Sequence, residues 1–196
     1  MQIKLSGKEV LQDIHLVFLK SEIDYFIDFG TLLGYIRDNS FIKHDLDIDI
    51  GVPFSNEANK KLVHQNMIVK GFKKIAEYTF EGRIVEETYS RNGVLVDLFY
   101  YESNCENSFC YAFYKDPDKD YSSQNVFSVC QYKYRKIEKF RTVNFMGATV
   151  SIPDKAIELI GEKYGENWKK PNKNWVYWKA PTSIYLDQYG LKKILE

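Results

Sequence analysis

Between residues 45 and 52 the chain reads Asp-Leu-Asp-Ile-Asp-Ile-Gly-Val, an alternation that puts Asp45, Asp47 and Asp49 on one side of an extended strand. At about 3.3 Å rise per residue, successive carboxylates on that side stand roughly 6.6 Å apart. Like charges so arranged raise one another's pKa and repel unless a cation of high charge density neutralises them. Ligation by carboxylates alone suits Mg²⁺ or Mn²⁺, which fill their other positions with water and substrate phosphate. The plainer reading is a solvated strand face. Asp is a poor strand former, however, and three in alternation oppose local propensity without helping the fold, which marks a functional position.

Asp97 extends the same expectation. It interrupts the apolar run Val94-Leu95-Val96-Asp97-Leu98-Phe99, and an Asp there is costly unless it is paired or bound to a cation. Upstream, Gly30 and Thr31 lie where the aromatic and β-branched run Tyr25–Phe29 gives way to a helical pattern from Thr31 to Arg37. A helix start exposes backbone N–H groups to anions; Gly30 would let a phosphate approach and the Thr31 hydroxyl would add a donor. Arg37 could hold a phosphate through its two-pronged guanidinium, or pair with an acidic neighbour.

Elements must hold these residues in place. Ser6 and Glu9 form a capping-box pattern, and Val10, Ile14, Val17 and Phe18 follow at helical spacing, which predicts a helix over 7–21. Ser55 can cap a polar helix to about Val69. From Phe72 to Tyr101, breaks at Glu81-Gly82 and Asn92-Gly93 predict three strands, and Asn-Gly predicts that 83–90 and 94–101 pair antiparallel. Residues 102–125, rich in Asn, Ser, Asp and Lys, read as an irregular loop with room for short elements. Met146-Gly147 predicts a hairpin joining 136–145 to 148–152. Pro153 and Asp154 then open a helix with apolar positions Ala156, Ile157, Ile160 and Tyr164 that Gly165 ends. Trp168, Trp175 and Trp178 in the tail could stack on a sugar or a base, though aromatic clusters more often close a core.

Composition narrows the class. The 196 residues suffice for one domain, and 44% hydrophobic with 28% charged residues is globular composition. Lys plus Arg equal Asp plus Glu at 27 each, so no overall positive field draws the chain to nucleic acid. No apolar run reaches the roughly 20 residues of a membrane span, and the N-terminal residues lack an apolar signal core. A cytoplasmic location is the expectation, at most peripheral to a membrane. Cys105, Cys110 and Cys130 have neither paired spacing nor a nearby His and read as reduced thiols. His15 and His64 read as packing or surface residues, and only His44 adjoins the Asp strand.

The segment DFGTLLGYIRDNSFIKHDLDIDIGV, positions 28–52, closely resembles the signature of the LicD family, whose relatives include fukutin and fukutin-related protein. The matching positions are Gly30 to Gly34, Arg37, Phe41-Ile42, and Asp45, Asp47 and Asp49. Many relatives carry Trp-Asp-Asp-Asp where this chain has His44-Asp45-Leu46-Asp47, so one acidic residue is absent while the alternating three survive.

The resemblance implies an α+β (α/β mixed-sheet) nucleotidyltransferase-like fold, a mixed β-sheet flanked by helices. It would span 1–196 as one domain, with a core over about 7–152 and a C-terminal helical and aromatic segment over about 153–196. It implies metal held by Asp45, Asp47 and Asp49, with Asp97 as the further carboxylate on a neighbouring strand. It also implies a CDP-activated donor, such as CDP-choline or a CDP-alditol like CDP-ribitol, whose phosphorylated head group moves to a sugar hydroxyl as CMP leaves. A nucleotidyltransferase releasing pyrophosphate, or a binding module without catalysis, are the competing readings.

Overall fold

The computed structural model describes residues 2–53 and 56–195. Helix α1 (Gln2–Ser21) buries the stripe Val10, Leu11, Ile14, Val17 and Phe18. It starts well before Ser6, so the Ser6–Glu9 pair lies inside the helix and caps nothing. The strand expected over Tyr25–Phe29 contracts to β1 (Phe26–Ile27), and α2 (Phe29–Asp38) follows at once, capped by Asp28. Strand β2 (Asp47–Pro53) begins at Asp47, leaving Asp45 in the preceding loop and Leu46 66% exposed. Ser55 lies outside the described residues, and Asn56 caps α3 (Glu57–Val69) through a bond to the Asn59 N–H.

Three strands follow as the turn signals predict: β3 (Lys73–Phe80), β4 (Arg83–Arg91) and β5 (Val94–Ser103). Asn92 and Gly93 take positive φ (51° and 74°) at the turn between the antiparallel β4 and β5. Within the segment read as a loop with short elements, residues Asn107–Tyr114 form the regular strand β6, which pairs with β7 (Val126–Arg135). The hairpin β8 (Phe140–Phe145) and β9 (Ala148–Pro153) turns at Met146-Gly147, and α4 (Ala156–Tyr164) ends at Gly165.

The tail departs most from expectation. After a 3-10 turn at Tyr177–Lys179 it forms β10 (Ser183–Ile194), a strand rather than a helical segment. The eight-stranded sheet runs β1-β2-β5-β4-β3-β10-β7-β6, with β2 and β5 parallel. Because β5 also pairs with β6 through Glu102↔Phe109 and Ser103↔Ser108, the strands β5-β4-β3-β10-β7-β6 close into a ring. Helix α1 packs on β9 and α3, and α4 on α2, so the helices cover the open part of the sheet.

Candidate functional site

Register assembles the carboxylates. In the parallel pair β2–β5, Asp49 lies opposite Asp97 and Asp47 opposite Leu95. One carboxylate oxygen from each of Asp47, Asp49 and Asp97 lies within 4.8 Å of the others. All three side chains are half-buried. Asp45 stays outside this group. Its loop is held by the Asp45 N–H to the Ile42 carbonyl (3.1 Å), and a methyl group added at Gly30 would strike Asp45 Oδ2. Gly30 therefore makes room for a side chain of the site itself.

At the start of α2, the Gly30 N–H and the Thr31 hydroxyl, expected to face a phosphate, are bonded to Asp49 of the acidic strand. The Phe29 N–H donates to Asp28 Oδ1 (2.8 Å) and the Gly30 N–H to Asp49 Oδ2 (2.9 Å). Thr31 is 2% exposed, and its Oγ1 accepts the Asp49 N–H (2.9 Å). The Asp28 N–H donates to the Asp49 carbonyl (2.9 Å). Asp49 is thus held by main chain and side chain alike. The positive end of the helix faces a carboxylate that carries the same kind of charge as the anion expected there.

Charge crowding shifts these groups. Burial, then the negative charge of Asp47, raises Asp45 to about 6, with Arg37 opposing. Asp97 also rises to about 6 through burial, although a hydrogen bond to the Thr88 side chain opposes the shift. Asp49 rises well above the carboxylate range through burial and then repulsion from Asp47 and Asp97; Asp47 rises chiefly through burial. The donor set suits a hard divalent cation. Its oxygen ligands, their spacing and their crowding fit Mg²⁺ or Mn²⁺.

Two residues that the sequence pattern did not single out belong to the same place. Lys163, 2% exposed, pairs with the fully buried Asp28 (2.7 Å), and its ammonium lies 3.7 Å from the Phe29 ring centroid. Tyr101 joins them, donating to Asp28 Oδ2 (2.5 Å) and accepting from Lys163 (2.9 Å). The available signal was helical: Lys163 falls seven residues after Ala156 on the inner face of α4. The second is Glu86, 8% exposed, whose pKa stands well above the carboxylate range because of burial and then the charge of Asp97. Adjacent Glu86 and Glu87 point to opposite faces of β4, so one of them had to face inward; in fact both are buried.

Two cavities meet over Gly30, Asp45, Tyr164 and Trp175. One, of about 430 Å³, runs into the ring of strands past Asp47, Asp49, Asp97 and Glu86 and is otherwise mainly aromatic. The other, of about 730 Å³, is lined by Arg37, Lys43, His44, Lys170 and Lys173 together with Asp38 and Asp45. Arg37 grips Asp38 with its Nε (3.0 Å) and Nη2 (2.7 Å), the acidic-neighbour alternative. Trp168 and Trp178 pack against the core, whereas Trp175 contacts Tyr164 and lines both cavities. His15 and His64 bond Tyr25 and Tyr89, and all three cysteines are free. No helix among the described residues is long and apolar enough to cross a membrane.

Comparison with known proteins bears on this arrangement. An uncharacterized protein of Rickettsia typhi is 27% identical over 137 residues, 69% of this chain and 41% of that protein. The Homo sapiens ribitol-5-phosphate transferase FKTN is 24% identical over 195 residues, covering 91% of this chain and 36% of the relative. The chain thus spans between about a third and a half of the length of the curated relatives it matches. The solved structure of ANT(2'')-Ia with adenylyl-2''-tobramycin covers 87% of this chain and 82% of its own at 10% identity and a TM-score of 0.46, too distant to argue from. Residues 22–155, which carry the Asp strand, Asp97 and the start of α2, match the family described as LicD/FKTN/FKRP, nucleotidyltransferase domain. This chain, with its acidic strand locked to a helix start and its mixed sheet flanked by helices, belongs to the LicD family.

Proposed function

We propose that the chain is a metal-dependent phosphotransferase that moves a phosphorylated head group from a CDP-activated donor to a sugar hydroxyl of a glycan, releasing CMP. The observation that carries this reading is the convergence of Asp47, Asp49 and Asp97 within 4.8 Å in the wall of the ring cavity, which meets the basic-lined cavity at Asp45. These three would hold Mg²⁺ or Mn²⁺, with Asp45 as an additional ligand or one acting through its neighbours. When bound, the ion supplies neutralisation of charge on the phosphates.

The chain's own residues supply placement. Arg37, Lys43, Lys170 and Lys173 favour donor phosphates in the larger cavity, where Arg37 would exchange its exposed partner Asp38 for a phosphate. Gly30 and Thr31 act on the donor indirectly, by fixing Asp49. Asp97 would accept the proton of the attacking hydroxyl, or hold a second metal that acidifies it. Lys163 keeps Asp28, and through it the start of α2, in position. Transfer then rests on positioning and charge, with no covalent nucleophile. Because α4 and the tail wall the same site, the chain is read as one domain over 1–196.

All four carboxylates are present, which speaks against a binding module without catalysis. Incubation with CDP-choline, CDP-glycerol, CDP-ribitol or CTP, Mg²⁺ and a panel of glycan acceptors, followed by mass spectrometry, tests the rest. Phosphodiester product with CMP is expected; pyrophosphate from CTP, with no CMP from any CDP-linked donor, would replace this reading with a nucleotidyltransferase.

A further inference from the structure

Strand β10 carries two aromatic rings that neither the metal group nor the cavities use. One face of the strand is spent on the core of the ring: Leu186 packs with Phe80, Tyr111, Phe113 and Val129, and a methyl group added at Gly190 would strike Phe113. From the other face Tyr185 and Tyr189 project, each 54% exposed, with hydroxyls that bond to no other described residue. Each is propped edge-on by a second tyrosine, Tyr185 by Tyr114 (5.9 Å) and Tyr189 by Tyr121 (6.0 Å).

Register connects these rings to the site. Tyr189 lies opposite Ser128, Tyr185 opposite Cys130 and Ser183 opposite Tyr132, and Tyr132 lines the ring cavity. Ser128, Cys130 and Tyr132 share one face of β7 at intervals of roughly 6.6 Å, so Tyr185 stands about 7 Å and Tyr189 about 13 Å along the sheet from that cavity wall. A second path leads the same way. Tyr177, 43% exposed, lines the cavity and meets Trp178 edge-on (4.7 Å); Trp178 stacks on Tyr114 (5.6 Å), which supports Tyr185. The two exposed rings therefore extend the cavity outward as a row.

The chemistry of the row selects its occupant. A sugar ring has apolar C–H faces edged by hydroxyls, and an exposed tyrosine offers the complement, an apolar face with a donor and acceptor at its rim. An apolar protein surface laid here would leave the Tyr185 and Tyr189 hydroxyls unpaired. Charge disfavours an anionic chain. Exposed Asp187 sits in the β10 bulge between Leu186 and Tyr189, and Asp116 donates its N–H to the Tyr121 hydroxyl (2.8 Å). The ammonium of Lys115, over the Tyr121 ring (4.0 Å), is already held by the Ser123 (3.2 Å) and Val126 carbonyls.

We propose that Tyr185 and Tyr189 are specificity-determining residues of an extended acceptor site, seating neutral sugar units of an oligosaccharide beyond the unit that reacts. The inference rests on the proposed function in taking a glycan as the acceptor. It makes the protein a reader of a chain of sugars, with the reacting end in the cavity and the following units along β10.

Calorimetric titration of the full chain with maltohexaose, cellohexaose, chitohexaose and their monosaccharides tests it. At least one hexasaccharide should bind about 10-fold or more tightly than its monosaccharide. Tyr185→Thr with Tyr189→Thr removes both rings but keeps strand propensity; it should weaken that binding by about 10-fold and each single change by about 3-fold, with Mg²⁺ affinity unchanged. The single variants serve if the double variant does not fold. No preference for any hexasaccharide over its monosaccharide, or unchanged hexasaccharide affinity in the folded variants, overturns the proposal. So does a dimer in sedimentation that the same changes dissociate, which would assign the rings to a second copy of the chain. Because no donor or turnover enters, this result is independent of the CMP assay: loss of head-group transfer with hexasaccharide binding intact would remove the proposed function alone.

Discussion

At the scale of single residues, Asp49 has the densest set of constraints. Its carboxylate, N–H and carbonyl are each bound by residues 28–31, so Asp49→Asn and Asp47→Asn should abolish Mg²⁺-dependent transfer while the metal-free fold persists. Near wild-type turnover of either variant at saturating Mg²⁺ would dismiss the metal assignment. Lys163 and Asp28 set a different expectation. Removing one partner of a fully buried ion pair leaves the other charge uncompensated, so Lys163→Met should cost about 3–5 kcal/mol in denaturant unfolding. Adding Asp28→Asn should recover part of that loss, and full additivity of the two changes would mean that the pair is not coupled. Protonation has a sign here too. Asp45 and Asp97 reach about 6 in the folded chain against about 4 when unfolded. Between those values the folded state holds more protons, so their contribution to stability is present below about pH 4 and is lost as pH rises through about 6. Melting in chelator should therefore show a smaller fall in Tm from pH 4.5 to 6.5 for Asp97→Asn than for the wild type.

The elements explain why those residues meet. Helix α2 acts as a clamp on β2, and Thr31 is the bond that a conservative change can isolate. Thr31→Val keeps shape but leaves the Asp49 N–H unpaired, which should cost about 1–3 kcal/mol, whereas Thr31→Ser should retain most of the stability. Equal stability of the two variants, measured by urea unfolding, would show that the hydroxyl is dispensable. The site also depends on the start of α2 being used internally: two of its N–H groups go to Asp28 and Asp49, so donor phosphates must look to the side chains of the larger cavity. Arg37→Lys should accordingly raise the Kd of a CDP-linked donor, because an ammonium cannot reproduce a two-pronged contact. A lowered Tm with unchanged donor affinity would reduce Arg37 to a partner for Asp38.

For the whole molecule, closure of the strand ring is what turns a carboxylate cluster into a cavity. β10 sits between β3 and β7, and deleting 183–194 would leave both with unpaired edges. Such a truncation should lose cooperative unfolding and Mg²⁺-dependent stabilisation together; retention of both would mean that β10 is an ornament of the sheet. Metal should raise Tm more at pH 7.5 than at pH 5, since protons and the ion compete for the same oxygens.

Much of this architecture was legible along the chain because it is local. Alternation at 45–52 exposed the acidic face, Asn92-Gly93 exposed a hairpin through positive φ, and helical spacing exposed the buried stripe of α1. Asp97 stood out because an acid in an apolar run is costly wherever the strand lies. What residue spacing could not convey was partnership. The parallel register that sets Asp97 beside Asp49, the diversion of the Gly30 and Thr31 bonds to Asp49, and the docking of Lys163 on Asp28 all join residues far apart in sequence. Strand β10 was hidden for the same reason: its burial is modest, and it becomes a strand by filling the gap between β3 and β7. Side-chain direction follows from local geometry and can be read from the amino-acid sequence alone; which surface each side chain meets depends on how distant segments pack, and only the tertiary structure decides that.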